Sequence, residues 1–146
     1  MNIITKFLKS TKKYIDDLIR LEQTPHNIAL GFSIGTFISN MPTPGLNILF
    51  GILIAYLFKK VNKLSLFIGI LIWNPILVPL LYSAGFKLGQ FILNQPTIIE
   101  PTIYELFFHY FKPFLLGMTI LALFFSLVSY ILVYLGTYFY QRKIKK

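Results

Sequence analysis

The chain has 146 residues, 55% of them hydrophobic, with a mean hydropathy of +0.67 and a formal net charge of +9. The absence of cysteine excludes disulfides, thiol nucleophiles and thiolate metal sites. The 14 Lys and Arg residues sit at the edges of apolar runs, which fits membrane orientation and anionic lipid head groups and counts against nucleic acid as a partner.

Three runs carry no Asp, Glu, Lys or Arg: residues 23–58, 64–86 and 113–141. Each exceeds the roughly 20 residues that cross a hydrocarbon core of about 30 Å. The composition therefore predicts an all-α integral membrane protein. No small-x-small cleavage site follows a short apolar core near the start, so no cleavable signal peptide is expected.

Residues 1–24 are read as an interfacial segment. Ile4, Phe7, Leu8, Ile15, Leu18 and Ile19 recur at helical spacing, with Lys6, Lys9, Lys13 and Arg20 mostly on the other face. Thr24-Pro25 then starts a helix, since threonine suits the N-cap and proline the first helical position. Thr43-Pro44 and Asn74-Pro75 repeat that grammar inside apolar sequence.

Residues 25–93 form the expected core membrane domain, with two broken apolar segments. The first breaks at Asn40-Met41-Pro42-Thr43-Pro44-Gly45 and the second at Asn74-Pro75. Both breaks follow one pattern: Ile34-Gly35-Thr36-Phe37-Ile38-Ser39-Asn40 aligns with Ile68-Gly69-Ile70-Leu71-Ile72-Trp73-Asn74. As one straight helix, residues 28–58 would span about 46 Å, too long for one upright crossing. Two arms, each about 18–20 Å, are too short to cross twice. The economical reading is a proline-broken re-entrant hairpin with its tip at 40–45; a tilted, broken crossing is the alternative. Residues 64–93 read as one crossing kinked at Asn74-Pro75.

Residues 94–112 read as a second interfacial helix, opened by Pro101 and ended by Pro113. Residues 113–146 read as the final transmembrane helix and a basic tail. About two transmembrane helices thus accompany the hairpin. The N-terminal region, the 59–63 loop and the C-terminal tail carry five, three and four Lys and Arg, while only Lys87 and Lys112 lie elsewhere. A hairpin puts the three basic groups on one side, and the positive-inside rule makes that side cytoplasmic.

Helix starts at Pro44 and Pro75 would aim free amides and partial positive charge at one point near mid-membrane, where an anion could bind. The plainer role of Asn40, Pro42, Thr43, Pro44, Gly45, Asn47, Asn74 and Pro75 is to make and satisfy the break, since a stranded backbone group costs several kcal/mol in hydrocarbon. Gly31/Gly35 and Gly85/Gly89 are GxxxG pairs that allow close helix packing within or between chains. Their presence on both broken elements suggests mutual packing, and a homo-oligomer is expected. No paired carboxylates fall on an apolar segment, so there are no catalytic candidates. Nor is there metal-ligand spacing or a phosphate loop, so no metal or cofactor is expected.

Thr24-Pro25, Ala29-Leu30-Gly31-Phe32-x-Ile34-Gly35, Pro42-x-Pro44-Gly45, Ala55, Asn74-Pro75 and Tyr82, Gly85 and Gly89 resemble the domain-of-unknown-function 2062 family of small, mainly bacterial membrane proteins. The resemblance covers residues 22–93. It implies a bacterial cytoplasmic (inner) membrane location and brings no activity with it. The functional expectation is transport or translocation of a lipid or small solute. The alternative is a non-catalytic assembly factor or anchor for a membrane-protein partner.

Overall fold

The computed structural model describes residues 23–43, 45–73, 78–94 and 102–144. Five helices account for the regular structure of these residues: α1 (Pro25–Asn40), α2 (Asn47–Leu57), α3 (Lys63–Trp73), α4 (Val78–Leu93) and α5 (Ile103–Ile144). The expected interfacial helix at the N-terminus lies outside the described residues.

Local sequence sets the helix ends. Thr24 Oγ1 accepts the Asn27 N–H at 3.3 Å, and Pro25 opens α1. Asn62 stands just before α3, and its Oδ1 accepts the Ser65 N–H at 2.9 Å. Asn62→Ala removes that cap and should lower stability by about 1 kcal/mol, read as a lower melting temperature in detergent by circular dichroism. Asn94, at φ 44°, follows the end of α4 in the left-handed conformation that asparagine tolerates. The Thr102 N–H donates to Glu105 Oε2 at 3.0 Å, half of a capping box at the start of α5.

The repeated sequence pattern has a direct structural counterpart. α1 and α3 lie side by side and run parallel. At one end, the Asn62 N–H donates to the Asn27 carbonyl at 3.3 Å and Ser65 Oγ to the Ile28 carbonyl at 2.6 Å. Further along, a Cβ on Gly31 would stand 2.5 Å from the Asn62 carbonyl oxygen. Beyond it, a Cβ on Gly69 would stand 2.5 Å from the Phe32 carbonyl oxygen and 3.2 Å from Gly35 Cα. The two Ile-Gly-x-x-Ile-x-Asn stretches thus cross at their own glycines. α2 returns antiparallel between their ends and seats Gly51 over Ile70 and Phe67. Val61, Leu66 and Ile70 form the buried cluster, with Leu30, Ile34, Ile54 and Phe67 around it.

α5 is the spine. Its 42 residues span about 63 Å. Its C-terminal half runs antiparallel to α1: Gln141 Nε2 donates to the Gln23 carbonyl at 3.1 Å, His26 Nδ1 lies 2.7 Å from the Tyr130 hydroxyl, and Ser126 Oγ donates to the Ser33 carbonyl at 2.9 Å. Its N-terminal portion packs on α4 instead. The Tyr82 and Phe114 rings meet edge to face at 5.3 Å, and Phe86 stacks on Tyr110 at 5.7 Å.

One expectation needs correction. Residues 103–112 and 113–140 are not separate helices, because α5 runs unbroken through Pro113. Proline normally marks a stop because it lacks an N–H and crowds the preceding turn. Here Pro113 is fully buried against α4, where Gly89 leaves the room that its backbone needs. The two broken elements do pack on each other, α1 against α3, but only the first glycine pair lies at that contact. Gly31 and Gly35 meet α3, whereas Gly85 and Gly89 meet Pro113, Gly117 and Met118 of α5.

Among the described residues, α5 is the one helix long and apolar enough to cross a membrane; α2 and α3 are apolar but shorter.

Candidate functional site

The first break follows from its prolines. An α-helix leaves its last four carbonyls without intrahelical donors. At the end of α1 the Met41 N–H serves both Phe37 and Ile38, at 3.1 and 3.2 Å. Pro42 and Pro44 bring no N–H. The Thr43 N–H turns away to the Met41 carbonyl at 2.8 Å. No described residue therefore donates to the carbonyls of Ser39 or Asn40. Gly45 turns the chain at φ 82°, a conformation open to glycine, and Thr43 Oγ1 donates to Asn47 Oδ1 at 3.0 Å. α2 begins at Asn47, three residues after the start signalled by Thr43-Pro44, and Leu46 caps it without a side-chain hydrogen bond.

The side chains before the break are polar and buried. Thr36, Ser39 and Asn40 are 0%, 2% and 1% exposed. At helical spacing of three and four they share one face of the last turn. By helical register Ser39 follows Gly31 and Gly35, which face α3, and all three side chains are buried in the seam that α1 makes with its neighbours. Asn40 Nδ2 donates to the Thr36 carbonyl at 2.8 Å. Among the described residues, Thr36 Oγ1, Ser39 Oγ and Asn40 Oδ1 find no partner. Each orphan costs about 1–3 kcal/mol.

At the same level α3 ends at Trp73, whose ring packs on Phe125 of α5 at 5.1 Å. Its Nε1 is buried without a partner among the described residues. Asn74 and Pro75, like Pro44, lie outside the described residues, so the second break enters through Trp73 alone. The expected constellation is thus partly assembled: Asn40, Pro42, Thr43, Gly45 and Asn47 form one turn beside the end of α3. Gly31 and Gly35 lie earlier on α1, against α3. Gly85 and Gly89 belong to the separate α4–α5 contact.

Sequence reading passed over Thr36. Its signal was a Thr-x-x-Ser-Asn run of hydroxyl and amide groups at helical spacing, placed immediately before two prolines in an otherwise apolar stretch.

On its other face α1 forms with α2 an apolar cavity of about 240 Å³, lined by Phe37, Met41 and Phe50 among others, with Thr43 at the tip. No group of three or more His, Cys, Asp or Glu that could hold a metal occurs among the described residues.

These features define a class: an all-helical protein with, among the described residues, one membrane-length helix and a polar turn buried where its shorter helices end. The chain belongs to the domain-of-unknown-function 2062 family, described as an uncharacterized protein conserved in bacteria, whose family model matches residues 8–146. That match extends the resemblance through α5. No curated protein and no solved structure matches the chain.

Proposed function

We propose that the chain is an integral protein of the bacterial cytoplasmic membrane in which α1 and α2 form a re-entrant hairpin, and that it translocates a lipid or small solute past the buried turn. The observation that carries this reading is the distribution of polarity. Ser33, Thr36, Ser39, Asn40, Asn47 and Ser65 are buried, while Leu49, Ile52, Leu53, Leu123, Leu127 and Leu132 point outward. Leu127 and Leu132 are 62% and 65% exposed. A water-soluble monomer rarely leaves apolar surface on this scale uncovered; a bilayer covers it.

Charge supports the same orientation. The Asn27–Asn62 and Gln23–Gln141 bonds bring the chain entering α1, the 58–62 turn and the end of α5 together. Lys59, Lys60, Lys63, Arg142 and Lys143 therefore share one end of the molecule. Lys112 stands about 45 Å from Arg142 along α5. Under the positive-inside rule the basic end faces the cytoplasm, with both termini there.

Because the native sequence has no cysteine, single cysteines can map this arrangement directly. In intact cells a membrane-impermeant maleimide should label Leu93→Cys and leave Thr43→Cys and Lys59→Cys unmodified. Permeabilisation should expose Lys59→Cys and still spare Thr43→Cys. Labelling of Thr43→Cys from outside at the rate of Leu93→Cys would sink the hairpin.

A second reading, an assembly factor or anchor, is favoured by an open aromatic groove of about 410 Å³ between α4 and α5, lined by Phe86, Phe107, Tyr110, Phe111 and Phe114. A photo-crosslinker at Phe107 that captures one stoichiometric membrane protein supports the anchor. Recovery of lipid alone supports translocation.

A further inference from the structure

We infer that the last turn of α1 is a binding site for a monovalent alkali cation, held by the side-chain oxygens Thr36 Oγ1, Ser39 Oγ and Asn40 Oδ1, with the free carbonyls of Ser39 and Asn40 beyond them at the helix end. This deepens the proposed function and rests on its hairpin.

Four observations meet at this turn. Three side-chain oxygens, each at least 98% buried, lack partners among the described residues, although threonine and serine in helices ordinarily bond back to a carbonyl of the preceding turn. Ser33, Ser83 and Thr119 bond back, and Ser65 and Ser126 bond across to α1, whereas Thr36 and Ser39 are buried with neither kind of partner among the described residues. Pro42 supplies no amide and the Thr43 amide is used elsewhere, so two main-chain carbonyls remain open at the helix end and add to its negative potential. The Asn40 amide is oriented by its donation to the Thr36 carbonyl, which leaves Oδ1 as the free atom. Each hydroxyl can rotate its own hydrogen aside, so the three side chains can turn oxygen lone pairs toward a bound ion.

The sign and valence of the ligand follow from electrostatics. The C-terminus of a helix carries about half a negative elementary charge, and oxygens at broken helices are suited to sodium and similar ions. Glu105 is the one carboxylate among the described residues, and it caps the far end of α5. A divalent cation in a buried site calls for carboxylates, whereas neutral oxygens and a helix end suit a single charge. The remaining orphan at this level, the Trp73 indole N–H, is a donor that cannot ligate a cation and matches a water bound to the ion.

Trp73 is the single tryptophan of the chain, so the site carries its own reporter. Full-length protein in detergent is titrated with NaCl or KCl against choline chloride, at constant ionic strength and constant chloride. Sodium or potassium should produce a saturable change in Trp73 emission and raise the melting temperature by several degrees, and choline should do neither. Thr36→Val keeps the shape and removes one oxygen. It should weaken the cation response at least tenfold while melting in choline no lower than the native protein. Ser39→Ala should behave alike and serves if Thr36→Val does not accumulate. Thr36→Ser should restore the response.

Identical behaviour in sodium, potassium and choline would overturn the inference and leave the orphans to water. A cation response that survives both substitutions would also overturn it. A tip protected from maleimide but indifferent to cations would sink this inference alone, whereas a tip open to the outside would sink the hairpin as well.

Discussion

Gly35→Ala is expected to prevent the α1–α3 pair from closing. The added Cβ would collide with the Leu66 carbonyl oxygen and would stand 3.0 Å from Ile70 N and 3.1 Å from Gly69 Cα. All three are backbone positions, so no rotamer change can relieve the contact and the helices must separate. Overpacking of a core costs about 1–3 kcal/mol even where side chains can yield, and the cost here should reach or exceed that range. The variant should show a sharply reduced steady-state membrane level and a melting temperature many degrees lower in detergent. Gly136→Ala is the control. A Cβ there meets nothing within 4 Å, and alanine is the better helix former by about 1 kcal/mol, so this variant should match or exceed the native protein. Equal melting of Gly35→Ala and Gly136→Ala would show that α1 and α3 do not pack at the glycine crossing.

Gly117→Ala should release α4 while sparing α1–α3. Its Cβ would enter the Gly85 carbonyl on one side and approach Gly89 N, at 2.8 Å, on the other. α4 makes its extensive contacts with α5 alone, whereas α1 is held by both α3 and α5. A short bis-maleimide crosslink between cysteines at Tyr82 and Phe114, whose rings meet at 5.3 Å in the native protein, should form in the native background and be lost with Gly117→Ala. A crosslink at positions 28 and 65, where Ser65 Oγ reaches the Ile28 carbonyl, should persist. Loss of both crosslinks would mean that the two contacts fold as one unit.

Helical class and the main interruptions were legible because they depend on local chemistry. Charge-free runs gave the apolar helices, and Thr24-Pro25 gave the start of α1. The prolines from Pro42 to Pro44 gave its end, and the repeated Ile-Gly-x-x-Ile-x-Asn pattern marked two equivalent elements. What escaped depended on tertiary contact. Pro113 reads as a stop until Gly89 is found against it, and Gly85 reads like Gly31 until their partners are known. The Thr102-x-x-Glu105 signal for the start of α5 was present in the sequence and was overlooked beside Pro101. Thr36 was missed for a different reason. A lone threonine in an apolar helix normally satisfies itself, and only the three-dimensional seam shows that this one does not.

The modest length of α1 has an electrical consequence. Its 16 residues rise about 24 Å, against a hydrocarbon thickness of about 30 Å. On the re-entrant reading, a helix entering from the basic face carries Asn40 roughly four-fifths of the way across. Only about one turn of low-dielectric material then separates the polar seam from the opposite aqueous phase. A cation resting there would have little of the transmembrane voltage to cross from the far side and most of it from the cytoplasm. Since one elementary charge moved through 100 mV is worth about 2.3 kcal/mol, an inside-negative potential would oppose filling from within by the larger share of that energy. The site would therefore equilibrate with the exterior, and collapse of the potential would open it to cytoplasmic ions.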